Sequence, residues 1–246
     1  MIINPYRFQS TPPFSNTQSI LTDGTDAFVT MGNVLQTSDT GADPMSMSIW
    51  YKTTKAYTTM MMTRWYNSSP YGGYSMHMTG NNMLTFFIGS FQGNAYILVR
   101  SNVLPIHSDG NWHHLVATYD GSRTAAGVKM YFDGNPLSIN VNRDVPPNYI
   151  NVNQADFMLG ARGTTLNYGF EFNGNLDEAS YFDSVLSASD VTTIYNSGVP
   201  NDISSLNPVG YWRFEETSGT TATDSGSGGN DGTLENDITR STDVPT

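Results

Sequence analysis

Residues 112–121 read Trp-His-His-Leu-Val-Ala-Thr-Tyr-Asp-Gly, and residues 128–134 read Val-Lys-Met-Tyr-Phe-Asp-Gly. Each run is rich in β-branched and aromatic residues and ends at Asp-Gly, which predicts two strands that end in turns. Asp133-Gly134-Asn135 then precedes another extended segment, as expected for a tight hairpin whose turn needs positive φ. This region therefore predicts neighbouring antiparallel strands.

Six further segments have strand character and are separated by turn signals. They are residues 27–31, 45–51, 74–78, 83–88, 95–100 and 157–159. In the second of these, Met45, Met47 and Ile49 alternate along one face, and Trp50 makes the opposite face apolar too. Such a strand is predicted to lie in the middle of a sheet.

One short helix is predicted near residues 187–197. Ser187 has the position of an N-cap, Asp190 that of its capping-box partner, and Gly198 that of a stop signal. Together with eight short strands, this helix predicts an all-β fold of two antiparallel sheets, arranged as a sandwich or jelly roll.

Composition and charge restrict the function classes. The 246 residues are 38% apolar, enough for one packed sandwich. Eleven Lys and Arg against 22 Asp and Glu give a net charge of −11, which argues against nucleic acid and membrane partners. The absence of Cys excludes disulfides, zinc-thiolate sites and thiol nucleophiles. We find neither a signal-peptide pattern nor an apolar run long enough for membrane insertion.

Several blocks, in order, resemble the laminin-G-like, concanavalin A-like jelly roll. They are the two runs quoted first, Leu-Thr-Asp-Gly-Thr-Asp-Ala-Phe-Val at 21–29, and Phe-Asn-Gly-Asn-Leu-Asp-Glu-Ala at 172–179. The resemblance implies an antiparallel two-sheet jelly roll over residues 17–206, with an N-terminal arm at 1–16.

The C-terminal block departs from the order of that family. Residues 210–216, Gly-Tyr-Trp-Arg-Phe-Glu-Glu, resemble the segment that normally opens such a domain. We expect residues 207–235 to complete the sandwich from the C-terminal end, as in a circular permutation, with residues 236–246 as a tail. The alternative is that the Trp212 strand pairs with a neighbouring subunit, which would make the protein a homo-oligomer.

The same block is similar to domains in structural proteins of tailed bacteriophages. This resemblance implies a non-catalytic virion surface protein, a capsid decoration or fibre component, assembled in the host cytoplasm. Its partners would be the viral capsid or other virion proteins, together with host-surface glycans. Two alternatives stay open: a stand-alone carbohydrate-binding module and a glycoside hydrolase.

A glycoside hydrolase needs two carboxylates facing each other across the sugar. Glu171, Asp177 and Glu178 lack the spacing for such a pair, and Glu215 and Glu216 would point to opposite faces of a strand. No G-x-S-x-G nucleophile elbow occurs either. We therefore assign no catalytic residue and expect a protein that is not an enzyme.

Aromatic residues concentrate at 64–74, which reads Arg-Trp-Tyr-Asn-Ser-Ser-Pro-Tyr-Gly-Gly-Tyr. In an exposed loop these side chains would offer flat apolar faces and one cation to a glycan or a protein partner. The predicted binding residues are Arg64, Trp65, Tyr66, Tyr71 and Tyr74, and Tyr149 and Tyr168 from other loops would join the same rim. The alternative is that the loop folds back and packs Trp65 on the sandwich.

Calcium is the one cofactor that the resemblance implies. Asp23, Gly24, Asp26 and Asp177 lie in the blocks where the family binds a structural Ca²⁺ at the sheet edge, and oxygen ligands suit this ion. The alternative is that Asp23 and Asp26 cap a turn while Asp177 ends a loop.

Overall fold

The computed structural model describes residues 14–67, 71–103, 105–147, 150, 155–163 and 170–246. In these residues the chain folds into two antiparallel sheets that pack face to face, with one short α-helix. The predicted all-β sandwich is confirmed, and all eight strands expected from the sequence are present.

The first sheet contains eight strands in the described residues. They are β1 (Ser19–Asp23), β3 (Met45–Lys52), β8 (Trp112–Tyr119), β9 (Val128–Phe132), β10 (Asn135–Pro136), β13 (Asn173–Phe182), β14 (Gly210–Trp212) and β17 (Thr239–Ser241). Their order is β10-β9-β8-β3-β13-β1-β17, and β14 pairs with β13 on the same side as β1.

The second sheet contains nine strands in the described residues. They are β2 (Phe28–Thr30), β4 (Thr59–Tyr66), β5 (Gly72–Thr79), β6 (Met83–Ser90), β7 (Ala95–Ser101), β11 (Ile139–Asp144), β12 (Phe157–Leu159), β15 (Thr221–Ala222) and β16 (Gly232–Glu235). Their order is β11-β7-β6-β5-β4-β12-β2-β16-β15.

The main core lies between the sheets. Alternate residues of β5, β6 and β7 face it, among them Met76, Phe86 and Val99. From the first sheet, Met47 and Ile49 face the same core, as the period-two pattern predicts. The intervening residues of the second sheet therefore form its outer face.

The hairpin after β9 has the predicted turn. Asp133 and Gly134 have φ of 47° and 73°, and Asn135 pairs with Phe132 across the turn. Positive φ at both central residues matches the twist of the flanking strands.

The single α-helix of the described residues, α1 (Ala188–Tyr195), covers the outer face of the eight-stranded sheet. Ser187 and Asp190 form the predicted reciprocal capping box, and Asn196 ends the helix in the left-handed conformation. Val191 and Ile194 are buried in a second, smaller core on this face. None of the helices in the described residues has the length and apolarity required to cross a membrane.

The C-terminal segment adds strands to both sheets. β14 pairs with β13, β16 pairs with β2, and β17 pairs with β1 of the same chain. Residues 236–246, expected to be a tail, instead supply an edge strand, because residues 239–241 find unpaired backbone groups along β1. Of the expected N-terminal arm at 1–16, only residues 14–16 are described.

Candidate functional site

A row of paired residues crosses the outer face of the nine-stranded sheet. Trp65 of β4 pairs with Gly73, Gly73 pairs with Gly89, and Gly89 pairs with Tyr96. Gly73 and Gly89 have φ of 145° and 136°, and a Cβ at either position would overlap the backbone of the adjacent strand. Because the two glycines have no side chains, the sheet surface between Trp65 and Tyr96 is a bare strip.

Phe91, in the loop after β6, folds over this bare strip. Its ring centroid lies 5.4 Å from that of Trp65, 5.1 Å from that of Phe87 and 5.1 Å from that of Tyr96. Its backbone N–H donates to the carbonyl oxygen of Tyr71 at 2.9 Å. Phe91 remains 47% exposed, whereas Trp65 beneath it is only 5% exposed. The aromatic group exposed at this point is thus Phe91, supported by Trp65.

A cleft of about 420 Å³ opens beside this aromatic cluster. Its apolar and aromatic lining consists of Met60, Trp65, Met83, Phe87, Phe91, Leu98 and Phe170. Its polar lining consists of Thr58, Ser75, His77, Thr79, Gly80, Asn81, Arg100 and Arg162. An apolar floor with a limited set of polar groups is the usual composition of a small-ligand site.

Two arginines make the cleft electropositive. The guanidinium carbon of Arg162 lies 4.1 Å from the ring centroid of Phe170 and 5.1 Å from that of Trp65. Burial and the charges of Arg100 and Arg162 lower the pKa of His77 to about 3. The His77 ring is therefore neutral at physiological pH, and its Nδ1 lies 3.0 Å from the hydroxyl oxygen of Ser75.

Two of the predicted binding residues belong to the core instead. Arg64 and Tyr74 are fully buried between the sheets, because they lie on the inward faces of β4 and β5 rather than in a loop. The Nε of Arg64 donates to the carbonyl oxygen of Val34 at 2.7 Å, and the hydroxyl of Tyr74 donates to that of Leu35 at 2.6 Å. Both side chains hold the segment after β2 against the sheet, so neither reaches a surface ligand.

The other predicted aromatic residues have different positions. Trp65 belongs to β4 rather than to a folded-back loop, and it lines the cleft beneath Phe91. Tyr71 is 50% exposed and is joined to the Phe91 loop by the backbone hydrogen bond given above. Tyr66 is half-buried at the end of β4. Tyr149 and Tyr168 lie outside the described residues.

The carboxylates proposed for calcium do not meet. Asp23 pairs with Asn173, and Asp177 lies four residues further along β13, about 13 Å away at the usual strand rise. One oxygen of Asp23 accepts backbone N–H groups of Thr25, Asp26 and Ala27, which is the turn-capping alternative. In the described residues, no group of three or more His, Cys, Asp or Glu side chains could hold a metal ion. This donor set, which with Gly24 was expected to bind Ca²⁺, does not fit the ion.

Chelation provides the direct measurement of calcium binding. We expect EDTA to leave the melting temperature unchanged, because the oxygens of Asp23 and Asp177 already accept hydrogen bonds from N–H groups. A bound ion would stabilise the folded state alone. A fall in melting temperature with EDTA that added Ca²⁺ reverses would contradict this expectation and support the original calcium prediction.

Asp177 and Glu178 form a buried carboxyl pair far from the cleft, on the eight-stranded sheet. They lie where the pairing of β13 with β3 shifts register between Asp177 and Ser180, and Glu178 has a φ of 45°. Burial, and then the charge of Glu178, raises the pKa of Asp177 well above its ordinary value. Burial raises the pKa of Glu178 to about 7, although the hydrogen bond from Tyr211 and the charge of Arg213 both lower it.

The sequence matches a known family model over residues 23–192, the model of the concanavalin A-like lectin/glucanases superfamily. The chain belongs to this superfamily. The matched region includes β2 to β13 of the lectin-like sandwich and most of α1. The strands from β14 onward lie outside it and complete both sheets.

Solved structures support the lectin-like fold. A Bacteroides ovatus protein, to which a carbohydrate-binding role is provisionally assigned, is 14% identical with a TM-score of 0.63; the match covers 95% of this chain and 62% of that protein's length. A heptameric pentraxin of Limulus polyphemus is 14% identical with a TM-score of 0.52, covering 92% and 94% of the two chains. A carbohydrate-binding module of a Ruminococcus gnavus sialidase, bound to α2,6-sialyllactose, is 12% identical with a TM-score of 0.50, covering 74% and 100%. Among curated proteins, none matches this lectin-like chain.

Sequence reasoning missed several residues of the cleft. Arg100 and Leu98 alternate with the buried Val99 and Ile97, so the period of two along β7 already places them on the outer face. Phe91 had no comparable signal, because a residue in a loop has no periodicity. The two glycines on neighbouring strands are the feature that indicates space for a covering ring.

Proposed function

We propose that this protein is a non-catalytic carbohydrate-binding protein that receives a glycan in the cleft of its nine-stranded sheet. The observation that carries the proposal is the exposed ring of Phe91 at the edge of a preformed cleft. Sugars present apolar C–H faces that pack on aromatic rings, and hydroxyl groups that need fixed hydrogen-bonding partners. Ser75, Thr79 and Asn81 line the same cleft and supply such partners.

The comparisons support this proposal. The Bacteroides protein has a provisional carbohydrate-binding assignment, and the Ruminococcus module is bound to a sialylated sugar. Both share the fold of this chain, and carbohydrate binding is carried over to it here as part of the proposal.

Absence of catalysis is part of the same proposal. Both glycosidase mechanisms place two carboxyl groups on either side of the scissile bond. Of the described residues that line the cleft, none is Asp or Glu. The carboxyl pair of Asp177 and Glu178 lies on the other sheet, where Glu178 is bound by Tyr211 and Arg213 and Asp177 accepts a hydrogen bond from Asn16. Turnover of a glycan by the purified chain would contradict this part of the proposal.

A role on a virion surface would place the same cleft toward host glycans. This finer hypothesis, with its capsid partner and virion location, rests on the sequence resemblance of the C-terminal block. A homo-oligomer rests instead on the alternative that the Trp212 strand pairs with a neighbouring subunit. Mass spectrometry of purified phage particles and the solution mass of the chain test it. Particles that lack the chain would remove the virion role and leave a stand-alone carbohydrate-binding module.

Replacement of Phe91 tests the binding site. We expect Phe91→Ala to weaken binding to whichever glycan the wild type captures on a glycan array by about three- to tenfold, because burying a whole phenyl ring contributes about 1.5–3 kcal/mol and roughly half of this ring is still exposed. Phe91→Leu, which keeps an apolar cover but loses the flat ring, should also weaken binding. Affinities are measured by isothermal titration calorimetry.

Val185→Ala is the matched control for this experiment. Val185 is 45% exposed in the segment that follows β13 of the other sheet, so its loss should leave binding unchanged. Melting temperatures of all variants show whether the sandwich is intact. Equal glycan affinity of the wild type and a folded Phe91→Ala would refute the assignment of the cleft.

A further inference from the structure

The acidic residues of this chain are unevenly distributed. Asp and Glu number 22 in the sequence, yet none occurs between Asp43 and Asp109. That acid-free stretch contains β4, β5, β6 and β7, whose outer faces form most of the cleft. The cleft is therefore a region without negative charge in a protein of net charge −11.

Arg100 enters the cleft from the outer face of β7. In the described part of the chain, Arg213 and Arg240 form ion pairs with Glu178 and Glu216, but Arg100 forms none with any carboxylate. Its Nε is shielded from solvent and has no hydrogen-bond partner within the described residues. A half-buried guanidinium group that has no anionic partner in the protein is suited to bind an anionic group of a ligand.

Arg162 reaches the same cleft from the loop after β12. The rings of Phe170 and Trp65 pack on the faces of its guanidinium group, which orients the plane of the group. The same contacts hold the positive charge of Arg162 at the cleft. Arg100 and Arg162 both line the cleft that His77 lines, so the two cations share one site.

We propose that the cleft selects glycans carrying a carboxylate, with Arg100 and Arg162 as the residues that determine this specificity. This inference rests on the proposed function, because it concerns the ligand of the same cleft. The planar fork of an arginine matches the two oxygens of a carboxylate. The acids elsewhere repel extended polyanions, which favours a single carboxylate on an otherwise neutral sugar.

Matched pairs of glycans test the proposal. The probes are α2,6-sialyllactose with its carboxyl-reduced counterpart, and galacturonic acid with galactose, titrated into the wild-type protein by calorimetry. We expect at least one acidic member to bind about tenfold or more tightly than its neutral counterpart, and this preference to shrink as salt screens the charges.

Variants of Arg100 connect the preference to the cleft. Arg100→Gln should reduce affinity for the acidic glycan about tenfold and so bring the ratio of acidic to neutral affinity close to one. Arg100→Lys keeps the charge without the planar fork and should retain part of the preference. Lys129→Gln is the control, because Lys129 is an exposed cation on β9 of the other sheet.

Each outcome separates the inference from the proposed function. Neutral glycans that bind as tightly as their acidic partners, or a folded Arg100→Gln that keeps the full preference, would overturn carboxylate selection and leave carbohydrate binding intact. Capture of sulfated glycans in place of carboxylated ones on an array would also overturn it. Failure of the wild type to bind any glycan, acidic or neutral, would overturn both.

Discussion

Trp212→Ala is expected to lower the free energy of unfolding by about 3–5 kcal/mol, the usual cost of removing a large buried aromatic side chain. Trp212 is fully buried, and its ring stacks on that of Phe157 from the opposite sheet, with centroids 5.5 Å apart. Its indole N–H donates to the carbonyl oxygen of Asn230 at 2.9 Å. The side chain therefore joins the two sheets and the glycine-rich loop at once.

Urea denaturation followed by far-ultraviolet circular dichroism measures this loss. Trp212→Phe is the matched variant, because it keeps a ring beside Phe157 but loses the hydrogen bond to Asn230, and it should cost clearly less than the alanine variant. A loss below about 1 kcal/mol for Trp212→Ala would show that the C-terminal strand adds little to the core.

Asp177→Asn is expected to stabilise the protein by about 1–3 kcal/mol at pH 8. Asp177 is fully buried, and its oxygens accept hydrogen bonds from Asn16 at 2.9 Å and from the backbone N–H of Glu178 at 2.8 Å. The Oδ1 of Asn16 is buried without a partner in the described residues. If the Asn16 amide rotates, this oxygen can accept a hydrogen bond from the new amide, which carries no charge.

The effect has a defined dependence on pH. Because the pKa of Asp177 is raised in the folded protein, the unfolded chain loses this proton first as pH rises above the ordinary value of 3.8. The folded state then binds more protons than the unfolded state, so the free energy of unfolding falls with rising pH until Asp177 ionises in the folded protein too. The advantage of Asp177→Asn over the wild type should therefore grow from pH 4 to pH 8.

The quantity to compare is the difference in the free energy of unfolding between variant and wild type at each pH. The histidines contribute to both proteins, so their contribution cancels in this difference. Asp23→Asn is the control of opposite sign. Burial raises the pKa of Asp23, but hydrogen bonds from backbone N–H groups outweigh burial and hold this pKa below its ordinary value. The ionised Asp23 therefore stabilises the folded protein, and its replacement should destabilise the protein at pH 8. A difference between Asp177→Asn and the wild type that does not change with pH in urea titrations would refute a raised pKa for this buried carboxyl group.

The sequence predicted the fold well where side-chain alternation and turn chemistry agree. Strands β3 and β8 follow directly from local residue preferences, and so does the turn at Asp133-Gly134. β17 was missed because three residues of mixed polarity have no pattern of their own and are fixed only by pairing with β1.

The candidate site was predicted only in part, and Arg64 shows why. The pairing of β4 with β5 shifts register between Met60 and Met62, and Arg64 then shares the inward face with Met62. An arginine is accepted there because Val34 and Asn33, distant in sequence, supply its hydrogen-bond acceptors. No local pattern reports such acceptors, so the cation was assigned to the surface.

The pairing of β1 with β17 also limits how fast the chain can fold. Ser19 lies opposite Ser241, and its hydroxyl donates to the carbonyl oxygen of Asp243, 224 residues away. Contacts this distant in sequence make folding slow, because the entropy of closing so long a loop is lost before any contact is gained. During synthesis, β1 has no partner on its outer side until residues 239–241 have left the ribosome. The eight-stranded sheet is therefore complete on this side only after β17 has been translated. Until then the outer edge of β1 is unpaired and exposed to other chains.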